Sequence, residues 1–291
     1  MTRHWPDISE HIHPAAPRAR RGGRFDMRFR RHGGRTGIAR QYVCYPYHFT
    51  KAFELDRHIP ELLTLYQQSS SGGLYRGDSL TSDLIVETGA AVHITTQAST
   101  VVHDCQGSTA EASVQATVER DAFLAYTPDP LILFPGAKVG ATTTVRMDSS
   151  AVVLLHDFFD RHDPKANGEQ FDWIAARVEV RTLDGRTLVR DRMNLLGRDI
   201  ASPQFSPMGR WRISGSLFLL GPASRLPTEQ ELLTASTAPG VLAGASALPN
   251  DAGLVVRMLA DDAHAAQQAA ARLFTLAVKS RFGAAPQPRR K

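Results

Sequence analysis

The feature that most constrains this chain is a long succession of short alternating segments, from about Ile38 to Leu220, each closed by turn residues. In Leu80–Val86, the residues Leu80, Ser82, Leu84 and Val86 fall on one face and Thr81, Asp83 and Ile85 on the other, which is the period-two pattern of a strand. Gly89 supplies a turn with positive φ, and Ala91–Gln97 reads as the return strand. The unit recurs. Ser113–Val118 and Phe123–Tyr126 are joined at Arg120–Asp121, Leu131–Phe134 ends at Pro135–Gly136, and Ala141–Met147 is followed by Ala151–Phe159. Trp173–Thr182 turns at Asp184–Gly185 and comes back as Arg186–Asn194, and Asp-Gly between two such runs is a hairpin signal. Strands at spacings near about ten residues admit a sandwich, a barrel or a β-solenoid, and with no strict repeat the pattern alone does not choose among them.

Beyond Leu220 the composition shifts to Ala, Ser, Pro and Gly over 221–250. Thr228 and Glu231 have the spacing of a capping box, which predicts a short helix over 228–236. Leu254–Leu259 reads as a strand. Asp261 or Asp262 then caps a helix running to about Arg281, with Lys279 and Arg281 at its end to suit the macrodipole and Gly283 as a stop. Ala266, Ala270, Leu273, Phe274 and Ala277 make one apolar stripe, so this helix packs on something. The expected fold is mainly β with a few helices, including this C-terminal one.

Charge is uneven. The overall net is +5, but residues 1–35 hold nine Arg against Asp7, Glu10 and Asp26, a net of +6. The tail 286–291 adds +3, which leaves 36–285 at −4. Basic groups gathered at the ends argue against a dedicated nucleic-acid binder, whose cations must lie on the folded surface. The reading is a flexible basic N-terminal extension over 1–35, one β-rich domain over 36–285, and a basic tail over 286–291. No apolar run reaches the roughly 20 residues of a membrane span, so no membrane partner is expected. With Cys44 and Cys105 alone and far apart, a reducing, cytoplasmic location fits.

No phosphate-binding glycine loop, dinucleotide fingerprint, G-x-S-x-G elbow or H-E-x-x-H motif occurs. His103 and Cys105 would share one face of a strand, as a transient soft-metal contact needs. His156, Asp157, Asp160, His162 and Asp163 crowd a second stretch with imidazoles and carboxylates that borderline cations accept. His4, His11 and His13 form a looser tract near the N-terminus.

The order of landmarks points further. Gly72-Gly73 and Gly77-Asp78 precede a strand; Thr95-Thr96-Gln97-Ala98 follows; then come Thr127-Pro128-Asp129-Pro130-Leu131-Ile132-Leu133-Phe134-Pro135-Gly136-Ala137, and Gly168-Glu169-Gln170-Phe171 with Trp173. Leu254–Leu259, Asp261-Asp262 and a helix close the series. This arrangement, over roughly 38–282, resembles the urease accessory protein UreD (UreH) family. The resemblance implies a stacked-sheet, β-solenoid-like scaffold that is not an enzyme. It implies that such a scaffold binds UreF, and through it the GTPase UreG, on apo-urease and helps pass nickel to the urease active site. It implies no tightly bound cofactor, only nickel in transit.

Carried over by position, Asp78 matches the acid of the family's Gly-Asp turn, Asp157 stands where the family usually has Glu, and Glu169 matches the acid of Gly-Glu-x-Phe. These are the expected nickel-path carboxylates, with His103 and Cys105 as secondary candidates. The sequence departs from the family at Val101-Val102-His103 and at Asp160-Arg161-His162-Asp163. Two other readings stay open. One is a carbohydrate-active β-solenoid or sandwich enzyme using Asp157 and Glu169 across a cleft. The other is a protein-binding β module with no metal role.

Overall fold

The structure is a computed structural model that describes residues 22–202 and 206–288. Strands β1 (Gly22–His32) and β2 (Arg35–Cys44) form a hairpin, followed by the short β3 (Tyr47–His48) and β4 (Ala52–Phe53) and by β5 (Leu62–Ser69). The coiled part holds β6 (Ser79–Val86), β7 (Ala91–Thr96), β8 (Thr100–Val102), β9 (Ala110–Val118), β10 (Phe123–Thr127) and β11 (Leu131–Leu133). It continues through β12 (Lys138–Met147), β13 (Val152–Arg161), β14 (Trp173–Thr182) and β15 (Thr187–Leu196). The chain ends with α1 (Gly197–Ile200), β16 (Ile213–Leu220), α2 (Glu229–Ser236), β17 (Val241–Ala247), β18 (Gly253–Ala260) and α3 (Ala263–Phe282).

Two sheets face each other. One has seven strands in the order β15-β14-β12-β9-β6-β1-β2. The other has eleven, with the path β17-β18-β16-β13-β10-β7-β5-β3 and the short β4, β8 and β11 beside it. The middle of each is parallel: β6, β9, β12 and β14 in the first, β5, β7, β10 and β13 in the second. Each coil therefore lays one strand in one sheet and the next strand in the other. Ser79 lies beside Glu111, Ala110 beside Val139 and Lys138 beside Trp173, so successive coils take 32, 29 and 35 residues. The result is a stacked, solenoid-like β architecture.

This corrects one expectation. β7 does not return against β6, because the chain crosses between sheets at Gly89. The corners stack on one another instead: Glu119 donates its N–H to the Val86 carbonyl at 2.9 Å, and Asp148 does the same to Val118 at 2.9 Å. The Asp184–Gly185 turn does make a hairpin, β14 with β15, and Gly185 has φ 97°. A second correction concerns the N-terminal extension. Residues 22–32 are strand β1, paired in parallel with β6, and Phe25, Met27 and Phe29 are fully or nearly fully buried. The alternation Phe-x-Met-x-Phe carries the strand; Arg24, Arg28 and Arg30 at the alternate positions face outward, and Arg30 Nε bonds Glu87 Oε2 at 2.6 Å. The remainder of the extension, 1–21, with His4, His11 and His13, lies outside the described residues, as do 289–291 of the basic tail.

The helices follow their sequence signals. Thr228 and Glu231 form the complete capping box of α2, Asp262 caps α3 through Ala265 N–H, and Gly283 ends it in the left-handed region at φ 75°. The α3 stripe, including Ala266, Ala270, Leu273, Phe274 and Ala277, is buried against the outer face of the eleven-stranded sheet. The stripe is thus spent on the chain's own core. Within 221–250, by contrast, edge strand β17 leaves Leu242 exposed.

Candidate functional site

Inward-facing side chains between the sheets do not form one continuous core. At one end Phe25, Leu65, Leu84, Val92, Leu124, Leu155, Val189, Phe218 and Val255 pack together. At the other end Leu74, Leu80, Leu133, Val139, Phe159, Phe171 and Ile174 do so. A row of polar residues lies between them. Alternate residues of a strand share a face, so each strand's polar member can be read from its apolar neighbours. Ser82 stands between Leu80 and Leu84, Asp191 between Val189 and Met193, and Asp157 between Leu155 and Phe159. Ser216 and Arg257 complete the row, since Asp157 pairs with Ser216 and Ser216 with Arg257 across β13, β16 and β18.

Polar groups removed from water must be hydrogen-bonded to persist, and this seam meets that condition from both sheets. At its inner end Gln67 Nε2 donates to Ser82 Oγ at 2.8 Å, and Tyr126 Oη donates to Gln67 Oε1 at 3.1 Å. Burial pushes the Tyr126 phenol well above its ordinary range, so it stays a neutral donor. At the outer end Arg257 donates to Asp191 Oδ1 at 2.5 Å and to Ser216 Oγ at 2.8 Å, so it ties the eleven-stranded sheet to β15 of the other. The Arg257 side chain is 55% exposed and that of Asp191 21%, so this end of the seam reaches solvent. Burial, reinforced by the charge of Asp191 and offset in part by Arg257, pushes the Asp157 carboxyl up to about 6.

The expected site residues are scattered. Asp157 lies in the seam. Asp78 is buried at a turn, where its Oδ2 accepts the Tyr75 N–H at 2.9 Å, so it shapes the Gly77-Asp78 corner. Glu169 is exposed on the loop after β13, a loop that Asp163 organises by accepting N–H groups from Lys165, Gly168 and Glu169. His103 stacks flat on Tyr75 with ring centroids 4.4 Å apart and meets Phe134 edge-on. Cys105 is fully buried in the second apolar cluster, where its thiol donates to the His103 and Lys138 carbonyls at 3.4 Å each. Burial raises its pKa, which keeps it a thiol and a poor ligand. His103 and Cys105 therefore do not converge, and among the described residues no three His, Cys, Asp or Glu side chains are grouped to hold a metal ion. Asp157 and Glu169 lie in different settings, one between the sheets and one on an exposed loop, so the two-carboxylate cleft of a glycosidase gains no support.

Sequence reasoning missed Asp191, Ser216, Arg257, Gln67 and Tyr126. The available signal was a polar residue at an inward position of an otherwise apolar face, as with Ser82 in β6. For Asp191 and Arg257 no local pattern exists, because they are 66 residues apart.

No helix among the described residues is long and apolar enough to cross a membrane. Comparison with known proteins gives a consistent picture. The model of the family described as UreD urease accessory protein matches residues 21–291. The chain is 43% identical over 259 residues to "Urease accessory protein UreD 1" of Bradyrhizobium sp. strain BTAi1, an alignment covering 89% of this chain and 91% of that protein. It is 39% identical over 289 residues, 98% of both chains, to "Urease accessory protein UreD 1" of Methylorubrum populi. It is 32% identical over 260 residues, 89% of this chain and 91% of the other, to the protein of the same name from Pseudomonas syringae pv. syringae.

Proposed function

Because this chain belongs to the UreD urease accessory protein family, we propose that it is a non-enzymatic maturation scaffold for urease, working in the cytoplasm. In this reading it binds UreF, and through UreF the GTPase UreG, on apo-urease, and nickel moves along the inter-sheet seam toward the urease active site.

The observation that carries the nickel part is the seam itself. Two apolar clusters flank a row of side-chain oxygens from Ser82, Gln67, Asp157, Ser216 and Asp191. Nickel(II) accepts oxygen and nitrogen donors, and a route must hold it weakly enough to release it. Three features keep affinity low. The carboxylates are few, Arg257 already occupies Asp191, and its positive charge opposes a cation nearby. Asp157, titrating near 6, exchanges a proton close to neutral pH, so a passing cation competes with a proton and not with a fixed ion pair. The scaffold part rests on family membership and on a fold built from two broad sheets.

Co-expression with urease subunits, UreF and UreG tests both parts separately. Co-purification of this chain with UreF and apo-urease is expected. D157N is expected to leave that complex intact while lowering nickel per urease active site several-fold. Absence of the complex removes the scaffold reading, whereas normal nickel loading with D157N removes the route through the seam.

A further inference from the structure

A cleft of about 550 Å3 opens beside the second apolar cluster, at the end of β13, and nothing in the proposed nickel route uses it. Its lining includes Arg161, Arg210, Gly168, Gln170, Ser202 and Ser206, and no acidic residue is among the groups that line it. Two arginines on one open cleft, with no acidic residue among its lining, make it an attractive place for an anion.

The guanidinium of Arg161 is the sharper observation. Its Nε is buried and has no hydrogen-bond partner among the described residues, and the same holds for the Ser206 hydroxyl. Buried polar atoms without partners are few in folded proteins and call for an explanation. The neighbouring acids are already engaged. Asp160 is held by Arg212 through two bonds of 2.7 and 2.8 Å, and Asp163 accepts the backbone amides of its own loop. Asp261 approaches Arg210 Nε only to 4.0 Å, beyond hydrogen-bond reach, and the Arg210 guanidinium lies over the Trp211 ring at 4.6 Å.

We infer that this cleft is an oxyanion site that takes the carboxylate of an acidic peptide segment from a docked protein, with the Arg161 guanidinium and the Ser206 hydroxyl donating to its oxygens and Arg210 closing the open side. The planar fork of arginine suits a carboxylate, and an open cleft of this size admits a side chain carried on a peptide. A free phosphate shares the same chemistry, so the experiment separates the two sources. The inference concerns binding alone and stands whether or not nickel passes through the seam.

The test uses the full-length chain and a fluorescein-labelled peptide of alternating Glu and Gly, with a Gln-Gly peptide as control and inorganic phosphate as competitor. Expected are salt-sensitive binding of the Glu peptide, at least tenfold weaker binding of the Gln peptide, and at least tenfold loss with R161Q. The Arg210 side chain is 74% exposed, so R210E is expected to fold normally, with an unchanged melting temperature, and to abolish binding. Equal binding of both peptides, no binding of the Glu peptide, or full binding by folded R210E overturns the inference. So does displacement of the Glu peptide by phosphate at concentrations below those at which the peptide itself binds, which would make the cleft a free-anion site.

Discussion

Arg257 of β18 donates to Asp191 of β15 at 2.5 Å, across the space between two sheets, and the same guanidinium reaches Ser216 at 2.8 Å. One side chain thereby closes the outer end of the seam and offsets part of the repulsion between Asp191 and Asp157. The Asp157 carboxyl responds to both: Asp191 raises its pKa and Arg257 lowers it.

Removal of that cation has a defined consequence. Arg257→Ala leaves Asp191 and Asp157 as unscreened neighbours, and an expected loss of about 1–2 kcal/mol at pH 7 follows, scaled down from a fully buried pair because Arg257 is half-exposed. At pH 5, where Asp157 gains its proton, the loss is smaller. Urea denaturation of wild type and variant at both pH values measures it, and an equal loss at both would contradict the arrangement.

Asp157 contributes a pH-dependent penalty of its own. Its folded pKa lies above the unfolded one, about 6 against 3.8, so the unfolded chain releases this proton first as pH rises. Its destabilising effect is absent below about pH 3.8, grows through the interval up to about 6, and is complete above it, at about 2–3 kcal/mol. Asp157→Asn is therefore expected to raise the melting temperature at pH 7.5 and leave it nearly unchanged at pH 4. A variant less stable than wild type at pH 7.5 would sink this assignment.

Gly215 and Phe158 face each other on β16 and β13, and a Cβ built on Gly215 would overlap the Phe158 ring. Phe158 is itself buried. Gly215→Ala is expected to cost about 2–3 kcal/mol as overpacking. Phe158→Ala in the same chain removes the clash, so the double variant should be more stable than the sum of the two single losses implies. Strict additivity in a double-mutant cycle would refute the contact.

Asp160 is 2% exposed, and burial raises its pKa while Arg212 holds it as a carboxylate by a two-bond fork. Arg212→Met strands a buried charge, with an expected loss of about 3 kcal/mol at pH 7. Adding Asp160→Asn should recover most of it. Failure of the second change to restore the denaturation midpoint would mean that Arg212 acts through packing.

Much of the fold is written locally. The alternation of Leu80–Val86, the Asp184–Gly185 turn, the Thr228–Glu231 box and the Asp262 and Gly283 caps each depend on residues a few positions apart, and each appears where the chain spells it. Composition misled in one place: the arginines of 22–32 hid the buried Phe25, Met27 and Phe29 of β1. The order of landmarks carried the family.

The sequence by itself determined most strands of the coiled part, the two longer helices with their caps, and the lineage to which the chain belongs. Only the tertiary structure decided that β7 leaves β6 for the opposite sheet, that β6, β9, β12 and β14 pair with neighbours 29 to 35 residues along the chain, and that Asp157 feels the charges of Arg257 and Asp191 while Cys105 is sealed in a core. The physical reason is that alternation gives a strand two faces without naming its neighbours. Hydrogen-bond partners and buried charge pairs are selected by the joint packing of all the coils, which no local stretch contains.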